Sequence, residues 1–201
     1  MKVSAHSAYA KLHQRLLERP DLLRPWSGNI YRVTTLDYPR PESILRGEGS
    51  LLHGGRWNAI GSFRAVYGST TDTVAVAESR ANAEYAGLAF PIRTPRLLVT
   101  IELSLKAILD LTRQDVLDHL ELTIEELRED WRKLQADGFE SFTQCLGRAA
   151  FAASAGGLVV LSAKVSGGVN VAYFPENRTE TDEGRVCEPE KLDRIQIELR
   201  K

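Results

Sequence analysis

The first apolar pattern of the chain has helical spacing and lies at residues 4–23. Tyr9, Leu12 and Leu16 fall three or four positions apart, so they form one narrow stripe on a helix. Pro20 has no backbone N–H and is expected to interrupt or end this helix. The pattern predicts a helix that packs on the domain, with a partner-binding helix as the alternative.

Strand-like runs occupy the middle and the end of the chain. Residues 97–103 alternate toward their end, and residues 158–161 are apolar throughout, as in a buried strand. Gly167 and Gly168 mark a turn between two late runs, which are therefore predicted to pair as a hairpin. The predicted strands are residues 30–33, 64–69, 97–103, 158–161, 169–174 and 192–199.

Helices and strands interleave along the chain, whereas the late strands follow one another directly. This order predicts an α/β (α+β) fold, with a mixed central sheet and flanking helices. The 201 residues fit one domain, which we divide into an N-terminal helical extension (1–27), a core (28–176) and a C-terminal loop and strand (177–201).

A second helix is predicted to begin between residues 69 and 72, where hydroxyl side chains can cap it, and to end at residues 86–87. Glu78 lies on its apolar stripe, whose other members are Val74, Ala77, Ala81 and Tyr85. A carboxylate on an apolar helix face needs a partner, or its pKa rises. A functional carboxylate and a structural ion pair both fit this position.

Three further segments complete the prediction. Residues 39–49 have the composition of a loop. Residues 121–136 form a charged helical region whose face is expected to be solvated, and Trp131 is expected to anchor it to the core. Residues 142–155 form an alanine-rich helix that is expected to end at Gly156 and Gly157.

Composition restricts the classes of function. Hydrophobic content of 43%, charged content of 26% and a net charge of −1 are ordinary for a soluble globular domain and give no global attraction to nucleic acid or an anionic membrane. Cys145 and Cys187 lie far apart, and the four histidines form no cluster, so no metal site is expected. The polar N-terminus and the absence of a long apolar run favour a reducing cytoplasm and no membrane partner.

Several polar residues stand where a neutral scaffold does not need them. Arg32 lies between Tyr31 and Val33, and an inward-pointing guanidinium needs an anion from a carboxylate or a ligand phosphate. Ser162 ends a buried strand, where it either bonds a ligand or caps the turn. The chain has no P-loop, no GxGxxG after a strand and no GxSxG elbow.

An ordered set of these residues resembles the RES domain family, over roughly residues 30–175. Leu161 departs from the family, which often has proline before the serine. The matching positions are Tyr31-Arg32, Gly55-Arg56-Trp57-Asn58, Val66-Tyr67, Ala77-Glu78, Gln144, Gly147, residues 157–162 and Asn170.

The resemblance implies a fold similar to ADP-ribosyltransferases of the diphtheria-toxin kind, with a cleft for NAD+. It implies the toxin of a bacterial toxin–antitoxin pair that cleaves the nicotinamide–ribose bond of NAD+ by phosphorolysis, with inorganic phosphate as co-substrate, or by hydrolysis. The implied partner is an Xre-like antitoxin that covers the cleft, so that nucleic acid is contacted only through the antitoxin. A mono-ADP-ribosyltransferase, or a non-catalytic nucleotide- or antitoxin-binding module, is the alternative.

The resemblance also implies roles for individual side chains. Arg32 and Arg56 would clamp phosphate oxygens, and the Tyr67 ring would face nicotinamide. Glu78 would stabilise the positive charge that develops on the ribose, so Glu78, Tyr67 and Arg56 are the expected catalytic residues. Ser162 and Asn170 would hold ribose or amide edges. The leaving group is neutral nicotinamide, so this chemistry needs no metal.

Overall fold

The computed structural model describes residues 3–36, 40–87 and 96–192. In chain order, the described elements are α1 (Tyr9–Glu18), a 3-10 turn (Pro20–Leu22), β1 (Leu23–Thr35), α2 (Pro41–Arg46), α3 (Glu48–His53), β2 (Val66–Ser69), α4 (Asp72–Tyr85), β3 (Arg96–Asp110), α5 (Gln114–Leu120), α6 (Ile124–Leu127), α7 (Trp131–Ala136), α8 (Phe142–Ala152), β4 (Gly157–Leu161), β5 (Val169–Tyr173), a second 3-10 turn (Pro175–Asn177) and β6 (Glu183–Val186).

These strands form one mixed sheet in the order β1-β2-β5-β4-β3-β6. β1 also pairs with β3 over most of its length, so the first five strands of this order close into a barrel-like ring. β3 and β4 run parallel, because α5 to α8 form the crossover between them, and the other pairings are antiparallel. The predicted α/β class with a mixed sheet and flanking helices is confirmed.

The sheet separates two hydrophobic clusters. Successive residues of a strand point to opposite faces, so in β5 Ala172 joins the first cluster and Val171 the second. The first cluster packs the sheet against α1, α5 and α8, and it includes the ring contacts of Phe63, Phe151 and Phe174 at 4.3–6.0 Å between centroids. The core therefore holds one face of the sheet rigidly beneath the helices.

The N-terminal helix is shorter than the predicted span of residues 4–23. α1 begins at Tyr9 and ends at Glu18, and β1 already starts at Leu23. Leu12 and Leu16 are buried, as the stripe predicts, and α1 packs on α8. Proline at residue 20 starts a 3-10 turn instead of continuing the helix.

The predicted loop at residues 39–49 is wrong over its described part. Pro41 occupies the first turn of α2, where its fixed φ favours a helix, and Ile44 anchors α2 in the second cluster. Gly47 separates α2 from α3 with a φ of 71°, and a Cβ there would lie 2.9 Å from the carbonyl oxygen of Ala65. Pro41 and Gly47 thus mark the ends of short helices rather than a loop.

The segment at residues 121–136 contains two short helices, α6 and α7. The break has a local cause, because the Asp130 carboxylate caps α7 by accepting bonds from the N–H groups of Arg132 and Lys133. Trp131 was predicted to anchor this segment to the core. In the structure it is half-buried and lies outside both hydrophobic clusters. That prediction was wrong, and the indole lines a cavity instead.

The ends of two elements differ from prediction, and one strand was not predicted. β3 continues from the predicted 97–103 to Asp110, because β1 pairs with it across a bulge at Arg24–Trp26. α8 ends at Ala152 with Ser154 in the left-handed region (φ 65°), rather than at the glycines. β6 was not predicted, and the strand predicted at 192–199 lies outside the described residues apart from Leu192, which is buried.

Among the helices that the structure describes, none has the length and apolarity to cross a bilayer.

Candidate active site

A cavity of about 500 Å³ opens between the sheet, helix α4 and helix α7. Its floor comes from β1, β2, β4 and β5, and the glycine-rich segment 54–57 forms one wall. The opposite wall is a single face of α4, which presents Ala75, Glu78, Asn82 and Ala86 at helical spacing. The cavity thus follows the axis of α4 for most of the length of that helix.

Helix α4 begins as predicted, because the Thr71 hydroxyl accepts a bond from the Val74 N–H. Its buried face is rotated from the predicted stripe: Val74 and Ala83 are buried, whereas Tyr85 is 59% exposed. The rotation directs Glu78 toward the cavity, where it is half-buried.

Glu78 is held by two neutral donors. Its Oε1 accepts bonds from Ser162 Oγ at 2.7 Å and from Asn170 Nδ2 at 2.8 Å. The structural ion pair left open by the sequence does not occur, because no cation of the described residues lies within 4.0 Å of this carboxylate. The second carboxylate oxygen makes no hydrogen bond to the described residues and remains for a ligand.

Both donors to Glu78 are themselves fixed. Asn170 accepts at Oδ1 from the buried Ser69 hydroxyl at 2.7 Å, so its amide can only present N–H groups to the carboxylate. The Ser162 oxygen accepts from the N–H groups of Lys164 at 3.1 Å and Val165 at 2.9 Å. Ser162 therefore caps the turn after β4 and orients Glu78 at once, while its direct contact with a ligand stays a prediction.

The Tyr67 hydroxyl is committed to the wall of the cavity. It donates to Asn58 Oδ1 at 2.6 Å and accepts from the Trp57 N–H at 3.1 Å. Burial raises the pKa of Tyr67, so the phenol stays protonated. A Cβ at Gly55 would lie 2.4 Å from this hydroxyl, so glycine is required there. Tyr67 thus offers a ring face rather than an acid or base.

Helix α8 supports the same wall from behind. Gln144 donates from Nε2 to the Gly55 carbonyl oxygen at 3.0 Å and to Gln135 Oε1 at 2.9 Å. Gly147 lets the helix approach so closely that a Cβ there would lie 1.8 Å from the Trp57 carbonyl oxygen. These two positions therefore shape the site without lining it.

Arg32 lies at the cavity floor and forms no ion pair with an acid of the described residues. Its Nη1 donates to the Tyr67 carbonyl oxygen at 2.8 Å, and its Nε is buried with no partner. Burial lowers the pKa of Arg32, and no described carboxylate opposes that effect. The sequence left two sources of an anion for Arg32 open, a carboxylate and a ligand phosphate. No carboxylate of the described residues pairs with Arg32, so the ligand phosphate is the source still to be tested.

Arg56 is bound through backbone carbonyls rather than through an acid. Its Nη1 donates to the carbonyl oxygens of Leu127 and Glu129, each at 3.1 Å. Burial and the charge of Arg132 lower the pKa of Arg56, and Glu78, Tyr67 and Asp130 oppose them. Two guanidinium groups thus repel one another at the cavity wall, which favours an anion between them.

The described lining is strongly cationic. Glu78 is its one carboxylate among the described residues, and the cations are Arg32, Arg56, Arg96, Arg132 and Lys164. This local field differs from the net charge of −1 for the whole chain. The cavity therefore suits an anionic ligand that carries a cationic centre near Glu78.

The sequence placed Arg32, Arg56, Tyr67, Glu78 and Asn170 in one site, and all five line the cavity. Ser162 reaches it through its bond to Glu78. Sequence reasoning missed Ser69, Asn82, Trp131 and Arg132. The Trp131-Arg132 pair, an aromatic beside a cation in a charged segment, carried the signal that could have found two of them. No group of three or more potential metal ligands occurs among the described residues.

The fold and site define a mixed-sheet domain with a cation-lined cleft and one oriented carboxylate. The RES domain profile matches residues 29–194, and the chain belongs to this family. Its structure is similar to a chain in the crystal structure of the M. tuberculosis MbcT–MbcA toxin–antitoxin complex. The TM-score is 0.66 at 22% identity, over 92% of this chain and 97% of that chain. No curated protein matches the sequence.

Proposed function

We propose that this protein is the toxin of a toxin–antitoxin pair and that it cleaves the nicotinamide–ribose bond of NAD+. One observation carries the proposal: Glu78 is oriented by Ser162 and Asn170 in a cavity where Arg32 and Arg56 form no ion pair with a described acid. NAD+ supplies both complements, a diphosphate for the arginines and a cationic nicotinamide riboside for the carboxylate. Family membership and the toxin–antitoxin neighbour support the same conclusion.

The reaction requires charge stabilisation rather than a strong acid. The bond between nicotinamide N1 and ribose C1 breaks, both electrons go to the nitrogen, and nicotinamide leaves neutral. The ribose then carries oxocarbenium charge, which a fixed carboxylate stabilises in a site shielded from water. Attack by water or phosphate on C1 completes the substitution, and the proton of the nucleophile is released. Glu78 is the described carboxylate of the cavity that can serve this step.

The surrounding residues support positioning. Because Oε1 of Glu78 is occupied by its two donors, Oε2 is the oxygen that can face the ribosyl cation. Tyr67 keeps its hydroxyl in the wall, so its role is to present its ring to nicotinamide. Bidentate contacts of Arg32 and Arg56 with the diphosphate would fix the distance between the phosphates and the bond that breaks.

The direct test is release of nicotinamide when purified protein is incubated with NAD+, with and without inorganic phosphate. ADP-ribose as product indicates hydrolysis, ADP-ribose 1-phosphate indicates phosphorolysis, and label appearing on protein in a cell extract indicates ADP-ribosyl transfer. Absence of nicotinamide release in all three conditions, from folded protein, would contradict the proposal. That result would favour a non-catalytic module.

The toxin role is tested in cells. Expression of the protein alone should stop bacterial growth and lower cellular NAD+, because the chain then acts without the antitoxin that we propose covers the cleft. Expression of Glu78→Gln at the same level is the matched control and should allow growth. Normal growth with soluble, folded wild-type protein would remove the toxin assignment.

A further inference from the structure

A second group of side chains lies in the cavity wall, away from Glu78. Arg132 of α7 donates from Nη2 to Asn82 Oδ1 of α4 at 2.6 Å. Its guanidinium lies 4.6 Å from the ring centroids of both Trp131 and Tyr85. This contact joins two helices that are distant in sequence, and its members are not needed to orient the Glu78 carboxylate.

The group lies at a defined distance from the candidate catalytic carboxylate. Glu78 and Asn82 are four positions apart on the same face of α4, which places them about 6 Å apart along the helix axis. A ribose and its attached phosphate span a distance of this size. A ligand with its reacting sugar at Glu78 therefore places its phosphates near Asn82 and Arg132.

Charge at this position favours an anion. Arg132 and Arg56 both line the cavity, and the charge of Arg132 disfavours the charged form of Arg56. Arg132 forms no ion pair with the described residues, and its guanidinium makes one hydrogen bond to them, which leaves several of its five N–H donors for a ligand. A phosphate between the two guanidinium groups would relieve their repulsion.

Trp131 adds a surface for a flat ring. The indole is half-buried, lies outside both hydrophobic clusters, and lines the main cavity. It also lines a shallow groove of about 340 Å³ beside the cavity, together with His53 and Gln135. An aromatic ring shared by a cavity and the adjoining groove is placed to stack on a base that extends outward from the cavity.

We propose that Trp131, Arg132 and Asn82 bind the adenosine monophosphate half of the dinucleotide, on the side away from the bond that is cleaved. Arg132, held by Asn82, contacts the phosphate together with Arg56, and Trp131 stacks on the purine. The identity of the ligand as NAD+, including its adenine, rests on the proposed function, whereas recognition of a phosphate with an attached flat ring rests on this wall alone. The subsite makes the protein select a dinucleotide over a mononucleotide.

The test measures binding of two probes by calorimetry, so it requires no turnover. AMP carries only the far half of the ligand, and nicotinamide mononucleotide carries only the half with the glycosidic bond. We expect Trp131→Leu and Arg132→Gln each to weaken AMP binding by about tenfold, the loss of one stacked base or one charged hydrogen bond. Binding of nicotinamide mononucleotide should change by less than about twofold. Lys133→Gln, which removes an exposed charge from the same helix, is the matched control.

Each outcome decides the inference. Equal loss of both probes, unchanged AMP binding in the variants, or no AMP binding by wild-type protein at millimolar concentration would overturn it. Trp131→Phe should restore AMP binding, because a ring remains, and melting curves of each variant verify that the protein is folded. If wild-type protein binds AMP through these residues but releases no nicotinamide from NAD+, the proposed function fails and the subsite stands. If NAD+ is cleaved and the variants bind AMP normally, only the subsite fails.

Discussion

Replacement of Glu78 by glutamine separates a catalytic carboxylate from a structural one. Glutamine keeps an oxygen that can accept the bonds from Ser162 and Asn170, which lie 2.7 and 2.8 Å from Oε1. No ion pair with the described residues is broken, so the cost of about 3–5 kcal/mol for an orphaned buried charge does not apply. The change makes two charge-assisted hydrogen bonds neutral, a loss of about 1 kcal/mol or less each.

The expected effects on stability and activity therefore differ in size. A loss of at most about 2 kcal/mol in a domain of this length lowers the melting temperature by less than about 8 °C. Loss of the charge that faces the ribosyl cation should lower turnover by about a hundredfold or more, the scale of one electrostatic stabiliser. Affinity for NAD+ should change little, because the arginines are untouched.

The assay is nicotinamide release on the same Glu78→Gln preparation that gives the melting curve. Glu84→Gln on the same helix is the control, since the Glu84 carboxylate pairs with Arg80 at an exposed position and such pairs contribute little. Turnover by Glu78→Gln within about threefold of wild type would refute the catalytic role, because one electrostatic stabiliser contributes far more. A large fall in melting temperature with normal specific activity would assign Glu78 to the fold.

Three further substitutions test the walls of the cavity. Arg56→Lys keeps the charge but loses the planar fork, so calorimetry should show about tenfold weaker NAD+ binding, and equal affinity would remove Arg56 from the phosphate site. Gly147→Ala places a Cβ 1.8 Å from the Trp57 carbonyl oxygen, so denaturant titrations should show a protein less stable by about 2 kcal/mol or more. Gly49→Ala is the control and should not destabilise the protein, because a Cβ there has nothing within 4 Å. Ser162→Ala removes one donor to the candidate catalytic carboxylate and should lower turnover by about tenfold with a small shift in melting temperature, and unchanged turnover would limit this serine to turn capping.

Periodicity predicted the parts of the fold that depend on local pattern. The buried run of β4 and the turn at Gly167 are local features of the sequence, and both are observed, except that Leu161 at the end of β4 is 54% exposed. The closure of β1 on β3 is not local, because it pairs residues about seventy positions apart, such as Tyr31 and Thr100. A short polar strand such as β6 forms only because β3 offers it a partner, so its own pattern carried little signal.

Most residues of the candidate site could be predicted from the sequence, but the contacts between them could not. A carboxylate on an apolar helix stripe is visible in the sequence, and Glu78 does line the cavity. Whether it meets a cation or a neutral donor depends on Ser162 and Asn170, which lie 84 and 92 positions away. A tryptophan in a charged segment is expected to pack in the core. Only the contact of α7 with α4 reveals that Trp131 lies in the cavity wall.

The treatment of charge elsewhere in this chain supports a functional interpretation of the cavity. Glu140 is buried and is matched by Arg148, whose Nε lies 2.7 Å from the carboxylate. Arg64 is matched twice, by Glu48 and Glu176. Both of these arginines, which lie outside the cavity, therefore have acidic partners.

The charged side chains of the cavity, both positive and negative, differ from these paired residues. Among the described residues, neither Arg32 nor Arg56 forms an ion pair with an acid, and Glu78 forms none with a cation, within one space of about 500 Å³. Unmatched charges of both signs reduce stability, and proteins retain such groups chiefly at functional sites. A ligand that brings a diphosphate to the arginines and a cationic nicotinamide riboside to the carboxylate satisfies both at once, which a simple phosphate or a simple cation cannot do.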